Sequence, residues 1–350
     1  MSGWRSLAYG AARPLLFRLD SERIHRLTLH ALRAAGDRAL GRALLRVAAG
    51  APTGQSPWVE LAGLEFRNRV GLGAGFDKDA MALRAWAGLG LGFVEVGTVT
   101  PGPQPGNRRP RLFRLPRDGG LVNRMGFNNA GAVALARRVM LARRHLPRRF
   151  VVGVNIGRGR HTPLERAADD YLGCARLVRP VADYLAINVS SPNTPGLREL
   201  QDRERLVALV RALAEAGAAA GQPRPLLVKL SPDLSGSDVA ALATSAVQAG
   251  AAGVILANST TRRDGLVSPE ARESGGLSGA PLLPTTLAAV RRAREALGRE
   301  AVIVASGGIG SAEAVAAAYD AGADLVQLWT GLVYAGPGLI GDAVRAHPVR

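Results

Sequence analysis

The sequence predicts an α/β protein whose parallel strands close into a (β/α)8 barrel behind a small N-terminal helical domain. Three observations carry that prediction. Eight short apolar runs recur between residues 70 and 329, separated by longer stretches rich in alanine and leucine. Polar residues gather where those runs end, and the first fifty residues follow a purely helical rhythm. A chain of 350 residues with 47% hydrophobic residues and 43 glycines can fill one large barrel.

In chain order, residues 1–50 come first. Asp20 or Ser21 can cap a helix with Glu22 in its first turn, and Ile24, Leu27, Ala31 and Leu32 follow at helical spacing. Upstream, Trp4, Leu7, Ala8, Leu15, Leu16 and Phe17 make a second apolar stripe, interrupted by Pro14. Nine arginines face three acids in this stretch. Two short basic amphipathic helices suit the surface of an anionic membrane. They suit a cap docked on the main domain equally well, and these residues alone leave both readings open. The Pro- and Gly-containing stretch 51–57 reads as a linker, dividing a helical domain 1–50 from a barrel domain 51–350.

The apolar runs place strands near 70–73, 93–97, 151–156, 184–189, 226–230, 253–258, 301–305 and 325–329. Helices are expected at 79–89, 129–145, 163–181, 203–220, 236–249, 284–297 and 312–321. Between the second and third strands, 111–114 and 121–122 read as a small hairpin over the barrel mouth.

Composition excludes several functions. The single cysteine, Cys174, lies in a helical pattern and reads as a packed core thiol, so there is no disulfide framework. Five scattered histidines give no paired ligand spacing, and no metal site is expected. No run of 18 apolar residues exists, and the N-terminus lacks an apolar leader, so the protein reads as unexported and without an ordinary membrane span. The net charge of +17 comes almost wholly from arginine: only Lys78 and Lys229 are lysines among 45 basic residues. Such a skew reflects base composition, and no nucleic-acid partner is expected. It also singles out the two lysines as places where a compact ammonium is needed.

In a barrel of this kind the C-terminal strand ends build the site. They supply 74–78 with Lys78, 98–101 with Thr98, Asn155, then Asn188, Ser191 and Asn193. The second half adds Lys229, Asn258 with Ser259, Gly307 with Gly308, and Thr330 with Gly331. Paired asparagine amides suit a planar ligand whose edge alternates N–H and C=O. Glycines at 275–279, 307–308 and 331 let backbone N–H groups approach an anion, which points to a phosphate-bearing cofactor at the last loops. A Rossmann motif at 71–75 fails because Phe76 stands where a third glycine is needed. Ser191 has no histidine in any strand-end segment, so its hydroxyl is useful as a base only beside a strong electron sink. Lys229 can help to make that sink.

These segments resemble the class 2, quinone-dependent dihydroorotate dehydrogenases, over residues 17–338. The resemblance rests on Phe17-Arg-Leu-Asp-Ser-Glu22 with His25, Gly75-Phe-Asp-Lys78, Gly97-Thr-Val-Thr-Pro101, and Asn123-Arg-Met-Gly-Phe-Asn128. Val154-Asn-Ile-Gly157, Asn188-Val-Ser-Ser-Pro-Asn193, Val228-Lys-Leu-Ser-Pro232 and Gly275-Gly-Leu-Ser-Gly279 complete it. It implies oxidation of dihydroorotate to orotate, with hydride passing to FMN and electrons on to a membrane quinone. Ser191 would be the base. Asn123, Arg124, Met125, Gly126 and Phe127 would bind substrate, with Asn188, Asn193, Asn258, Ser259 and Lys78. Ala74, Gly75, Lys78, Thr98, Asn155 and Asn188 would hold FMN, together with Lys229, Ala257, Gly279, Gly308, Trp329 and Thr330. The N-terminal helices would form the quinone tunnel, with His25 and Arg114 near its inner end, and would rest peripherally on the cytoplasmic face of the cell membrane. Three positions depart from the family pattern. Ala257 stands for a threonine, Trp329 for a tyrosine, and Ser259 for a threonine.

Overall fold

A computed structural model describes residues 4–52 and 58–346, so part of the expected linker, 53–57, lies outside the described residues. Three helices come first: α1 (Trp4–Phe17), α2 (Ser21–Gly36) and α3 (Ala39–Ala49). A short antiparallel hairpin follows, β1 (Val59–Leu61) with β2 (Leu64–Phe66). The βα rhythm then begins with β3 (Val70–Leu72), α4 (Leu83–Gly88) and β4 (Phe93–Val99). A second hairpin, β5 (Leu112–Leu115) and β6 (Gly120–Asn123), interrupts it before α5 (Ala132–Arg143). Next come β7 (Val151–Ile156), α6 (Ala167–Val178), β8 (Tyr184–Asn188), α7 (Arg203–Ala219), β9 (Leu226–Lys229) and α8 (Gly236–Gln248). The last third runs β10 (Gly253–Leu256), β11 (Gly276–Gly279), α9 (Leu283–Leu297), β12 (Val302–Ser306) and α10 (Ala312–Asp320). It ends on β13 (Leu325–Leu328), α11 (Thr330–Ala335) and α12 (Gly338–Arg345).

Eight strands close the expected parallel barrel in the order β3-β4-β7-β8-β9-β10-β12-β13, with β13 pairing back to β3. Each lies within two residues of its expected position, because strands buried on both faces read as apolar runs. The hairpin over the mouth is also present, and β11 adds to it as a third antiparallel strand. Three helices are shorter than their periodicity suggested. Residues 79–82 form a loop whose Met81 and Ala82 amides donate to the Asp77 carboxylate at 2.7 and 2.8 Å. The helix expected at 129–145 starts only after Gly131, whose φ is +88°. The one expected at 163–181 opens with a 3-10 turn, Leu164–Arg166.

Inside the barrel, side chains of alternate strand residues stack in layers. The lower layers are apolar: Phe93, Val151, Tyr184, Leu227, Ile255, Val302 and Leu325 pack with Phe66 of the β1–β2 hairpin, which plugs that end. Two or four residues further along the same strands the interior turns polar, at Glu95, Asn155, Asn188, Lys229, Ser306 and Gln327. The chemistry is therefore confined to the C-terminal end.

The N-terminal helices dock on this frame. Asp20, not Ser21, caps α2, its carboxylate accepting from the Arg23 amide at 2.8 Å. Asp20→Ala is expected to cost about 1 kcal/mol of stability, measurable as a lower unfolding midpoint at unchanged denaturant slope. The docked face differs from the expected stripe. Leu29 and Gly36 are buried and Leu32 is half-buried, whereas Leu27 is 51% exposed and Ala31 is also exposed. Glu22 and His25 on this face are held by polar contacts, so apolar spacing alone misplaced it. At the crossing with α4, a Cβ on Gly36 would lie 2.6 Å from the Ala85 amide, so only glycine permits this approach.

Candidate active site

A cavity of about 1140 Å³, its solvent mouth included, opens at the polar end of the barrel. Each wall traces to one strand end. The loop after β3 brings Ala74, Gly75 and Lys78, and β4 brings Thr98. From the hairpin come Asn123, Met125, Gly126 and Phe127. Asn188, Ser191 and Asn193 follow β8, and Lys229 ends β9. Ala257, Asn258 and Ser259 follow β10, Gly279 ends β11, and Gly308, Trp329 and Thr330 close the ring. His25 reaches in from α2.

Two expected residues sit elsewhere. Arg124 turns away from the cavity: its guanidinium lies 4.6 Å from the Phe113 ring centroid and pairs with Glu273 at 2.6 Å. Side chains alternate along the end of β6, and Asn123 takes the inward position. That placement speaks against direct substrate contact by Arg124. Asn155 lies one layer below the floor, wholly buried. Arg114, expected beside the N-terminal helices and not in this pocket, lines a second, smaller cavity.

The floor is a connected polar network. Thr98 Oγ1 donates to Asn155 Oδ1 at 2.5 Å and accepts from Asn188 Nδ2 at 2.8 Å. Asn258 Nδ2 donates to Asn188 Oδ1 at 3.2 Å and to Ser190 Oγ at 3.0 Å. Below them Glu95, wholly buried, accepts from Asn155 Nδ2 at 2.9 Å, Gln327 Nε2 at 2.7 Å and Tyr184 Oη at 3.2 Å. Its other neighbour is Lys229 Nζ, 3.5 Å away on a side chain that is also buried. Glu95 and Gln327 escaped the sequence reading, although each is a lone polar residue inside an apolar strand. A buried polar group without an obvious partner is the signal that would have found them.

Ser191 is buried and its Oγ accepts from the Asn193 amide at 3.3 Å. Asn193 Nδ2 reaches across the mouth to Asn123 Oδ1 at 3.1 Å, so two loops share one face of the pocket. Burial, and then the Arg111 guanidinium, pull Lys78 down to about 8. A largely cationic ammonium at neutral pH, enclosed beside these amides, suits a carboxylate-bearing ligand.

The opposite end suits a phosphate. Gly307 and Gly308 have φ of +129° and +76°, and their amides bond to no other backbone group among the described residues. A Cβ on Gly308 would lie 2.4 Å from the Leu283 amide. Thr330 Oγ1 and Ser278 Oγ pair at 2.9 Å beside them.

The second cavity, about 610 Å³, runs between α1, α2 and the barrel and is lined by Leu16, Phe17, Ile24, Thr28, Arg114 and Val333 among others. His25 and Trp329 line both cavities. Their rings lie nearly parallel, 7° apart with centroids at 6.1 Å, and Phe76 packs on both. His25 Nε2 lies 2.8 Å from the Phe76 carbonyl, which only accepts, so that nitrogen carries the proton. Burial, with Lys78 next, lowers His25 to about 4, and the ring is neutral at pH 7.

Comparison with known proteins bears on the same region. Residues 58–345 match the family model described as dihydroorotate dehydrogenase. A "dihydroorotate dehydrogenase (quinone)" of Chloroflexus aurantiacus is 48% identical over 351 residues, spanning 96% of this chain and 95% of its own. One from Burkholderia thailandensis is 46% identical and spans 97% of each. Among solved structures, DHODH of Eimeria tenella in complex with ferulenol superposes with a TM-score of 0.81 at 34% identity, covering 88% of this chain and 90% of that one. The ligand-free form gives 0.79 at 36% identity, covering 89% and 93%.

Proposed function

The chain belongs to the dihydroorotate dehydrogenase family, and from that premise we propose how its residues divide the reaction. The protein oxidises dihydroorotate to orotate in pyrimidine biosynthesis, is flavin-dependent, and uses quinone as the acceptor. FMN is the flavin this site suits: the glycine loops offer amides to one terminal phosphate, and Lys229 offers donors to a polar ring edge that Thr98 and Asn188 wall. Gln327 supports the fit: the residue lines the same cavity, and its Oε1 is buried without a partner among the described residues.

When bound, the flavin would supply a two-electron acceptor for the hydride from C6 of dihydroorotate, to be re-oxidised by quinone. Ser191 Oγ, once its own hydroxyl proton has passed to solvent, takes the proton from C5 and becomes the hydroxyl again. Asn123, Asn188, Asn193 and Asn258 orient the pyrimidine ring, and Ser259 closes the same wall. Met125, Gly126 and Phe127 shape the pocket. Lys78 fixes the substrate carboxylate, and Lys229 places a positive charge at the ring edge where negative charge develops. Ala74, Gly75, Ala257, Gly279, Gly308, Trp329 and Thr330 form the remaining cofactor wall, with Asn155 supporting it from below. Quinone enters along the second cavity past Arg114 and stops at His25 and Trp329.

The observation that carries this reading is the meeting of an amide-lined polar pocket and an apolar cavity across His25 and Trp329. The experiment is dihydroorotate oxidation with quinone, fumarate or NAD offered as acceptor, on protein whose flavin is released by acid and identified. Turnover with quinone and release of FMN is the expected result. Turnover only with NAD, or a different flavin, defeats the assignment.

The helical domain 1–50 also supports peripheral attachment to an anionic membrane at its cytoplasmic face. No helix of the described residues is long and apolar enough to span a bilayer. Leu7, Leu15, Leu40 and Leu44 are 62–73% exposed on α1 and α3, among nine arginines in the first fifty residues. Each arginine near the surface contributes about 1 kcal/mol, screened by salt. Co-sedimentation with anionic liposomes should therefore fall between low and high salt. Equal sedimentation at both would remove the electrostatic part of the reading.

A further inference from the structure

We infer that α2 is part of the dihydroorotate half of the site, with Glu22 acting through Arg111 as the positioning residue for the segment that walls the substrate cavity. This rests on the functional reading above and deepens it.

Glu22 is 6% exposed although it stands in the first turn of a surface helix. Its carboxylate takes a two-pronged contact from Arg111, Nη2 at 2.8 Å and Nε at 3.0 Å, and a third bond from Arg109 Nη2 at 2.9 Å. Arg111 is itself 5% exposed, and its remaining nitrogen donates to the carbonyls of Pro105 and Asn107 at 2.7 and 2.8 Å. The fork therefore ties α2 to the loop 104–111. That loop in turn carries the cavity wall. The Arg124 amide donates to the Arg111 carbonyl at 2.9 Å and the Asn107 amide to the Met125 carbonyl at 3.0 Å. Gln104 Nε2 donates to the carbonyls of Gly126 and Phe127 at 3.1 and 3.0 Å. One turn after Glu22, His25 grips the Phe76 carbonyl, two residues before Lys78. The same helix thus fixes both flanks of the pocket.

Charge gives a second line of support. Lys78 is faced by Glu22 and neutral His25 from α2, by Arg111 from the loop, and by Asp77 and Asp79 of its own segment, Asp79 being paired to Arg138 of α5 at 3.8 Å. Burial and Arg111 lower Lys78 to about 8, and Glu22 opposes them. A cationic Lys78 favours an anionic ligand below that pH and loses its hold above it. Losing the Glu22 charge moves that loss to lower pH.

The test uses the full-length holoenzyme and orotate, binding being read from the absorbance of the bound flavin. Glu22→Gln should weaken orotate by about tenfold or more, the scale at which displaced walls act on a site. It should also shift the alkaline decline of affinity to lower pH. Glu22→Asp keeps the charge and loses the reach, so its affinity should fall while its pH midpoint stays. A merely structural role would lower the unfolding temperature and move neither quantity. Wild-type affinity and midpoint in Glu22→Gln overturn the inference. If that variant does not retain flavin, Glu22→Asp decides: wild-type affinity overturns the inference and weakened affinity supports it. Wild-type protein that binds no orotate would instead defeat the functional reading itself.

Discussion

Ser191→Ala is expected to slow reduction of the bound flavin by dihydroorotate roughly 10²–10⁴-fold, the range for a positioned acid–base group. The substitution removes one oxygen whose described protein contact is the Asn193 amide at 3.3 Å. Neither the Glu95 network nor the glycine loops lose a bond, so the flavin should stay bound and the unfolding midpoint should move little. The hydroxyl has no histidine or carboxylate among its described hydrogen-bond partners. A lone hydroxyl is a poor base near neutrality, so the wild-type rate should rise with pH until Lys78, lowered to about 8, begins to lose its charge. Stopped-flow bleaching of the flavin measures the step directly. A near wild-type rate in the alanine variant would remove Ser191 from the chemistry, leaving substrate orientation by the asparagines as its only company.

Much of this was legible before any coordinates. All eight barrel strands were, because a parallel strand covered on both faces has to be apolar throughout. The gathering of Asn188, Ser191, Lys229 and Asn258 was also legible, because a barrel leaves only its strand ends for polar work. The β1–β2 hairpin was not: three-residue strands carry too little alternation to register. Nor was the docked face of α2, since Glu22 and His25 are polar and disrupt the apolar stripe that periodicity follows. The resemblance carries Arg124 into the pocket with the rest of 123–127, and only the backbone tells that it turns to Phe113 and Glu273. Glu95 illustrates the remaining gap. Nothing local to Val94-Glu95-Val96 reveals that Asn155, Tyr184, Lys229 and Gln327, all distant in sequence, converge on it.

That convergence sets the second large effect. Lys229→Ala removes the cation from a buried pair whose partner, Glu95, is wholly enclosed. Three neutral donors remain on Glu95, but breaking a buried ion pair from one side costs about 3–5 kcal/mol, so the variant should unfold at a markedly lower temperature. Loss of the positive charge proposed for the flavin edge should also make the bound flavin harder to reduce, lowering its midpoint potential, and slow its reduction by about 10²–10³-fold, as for loss of one preorganised electrostatic donor. Lys229→Arg keeps the charge but should not restore the rate. The side chain is 6% exposed, and a planar fork needs both more volume and more acceptors than one Glu95 oxygen at 3.5 Å. The two consequences of Lys229→Ala separate when Glu95→Gln is added. With the carboxylate neutral, much of the lost stability should return, because no bare charge remains buried. The slow reduction should persist, because nothing replaces the ammonium. Thermal unfolding, redox titration and stopped flow on the three proteins give the answer. A midpoint potential unchanged in Lys229→Ala would mean that Lys229 serves only to neutralise Glu95, and that the charge felt by the flavin comes from elsewhere in the floor.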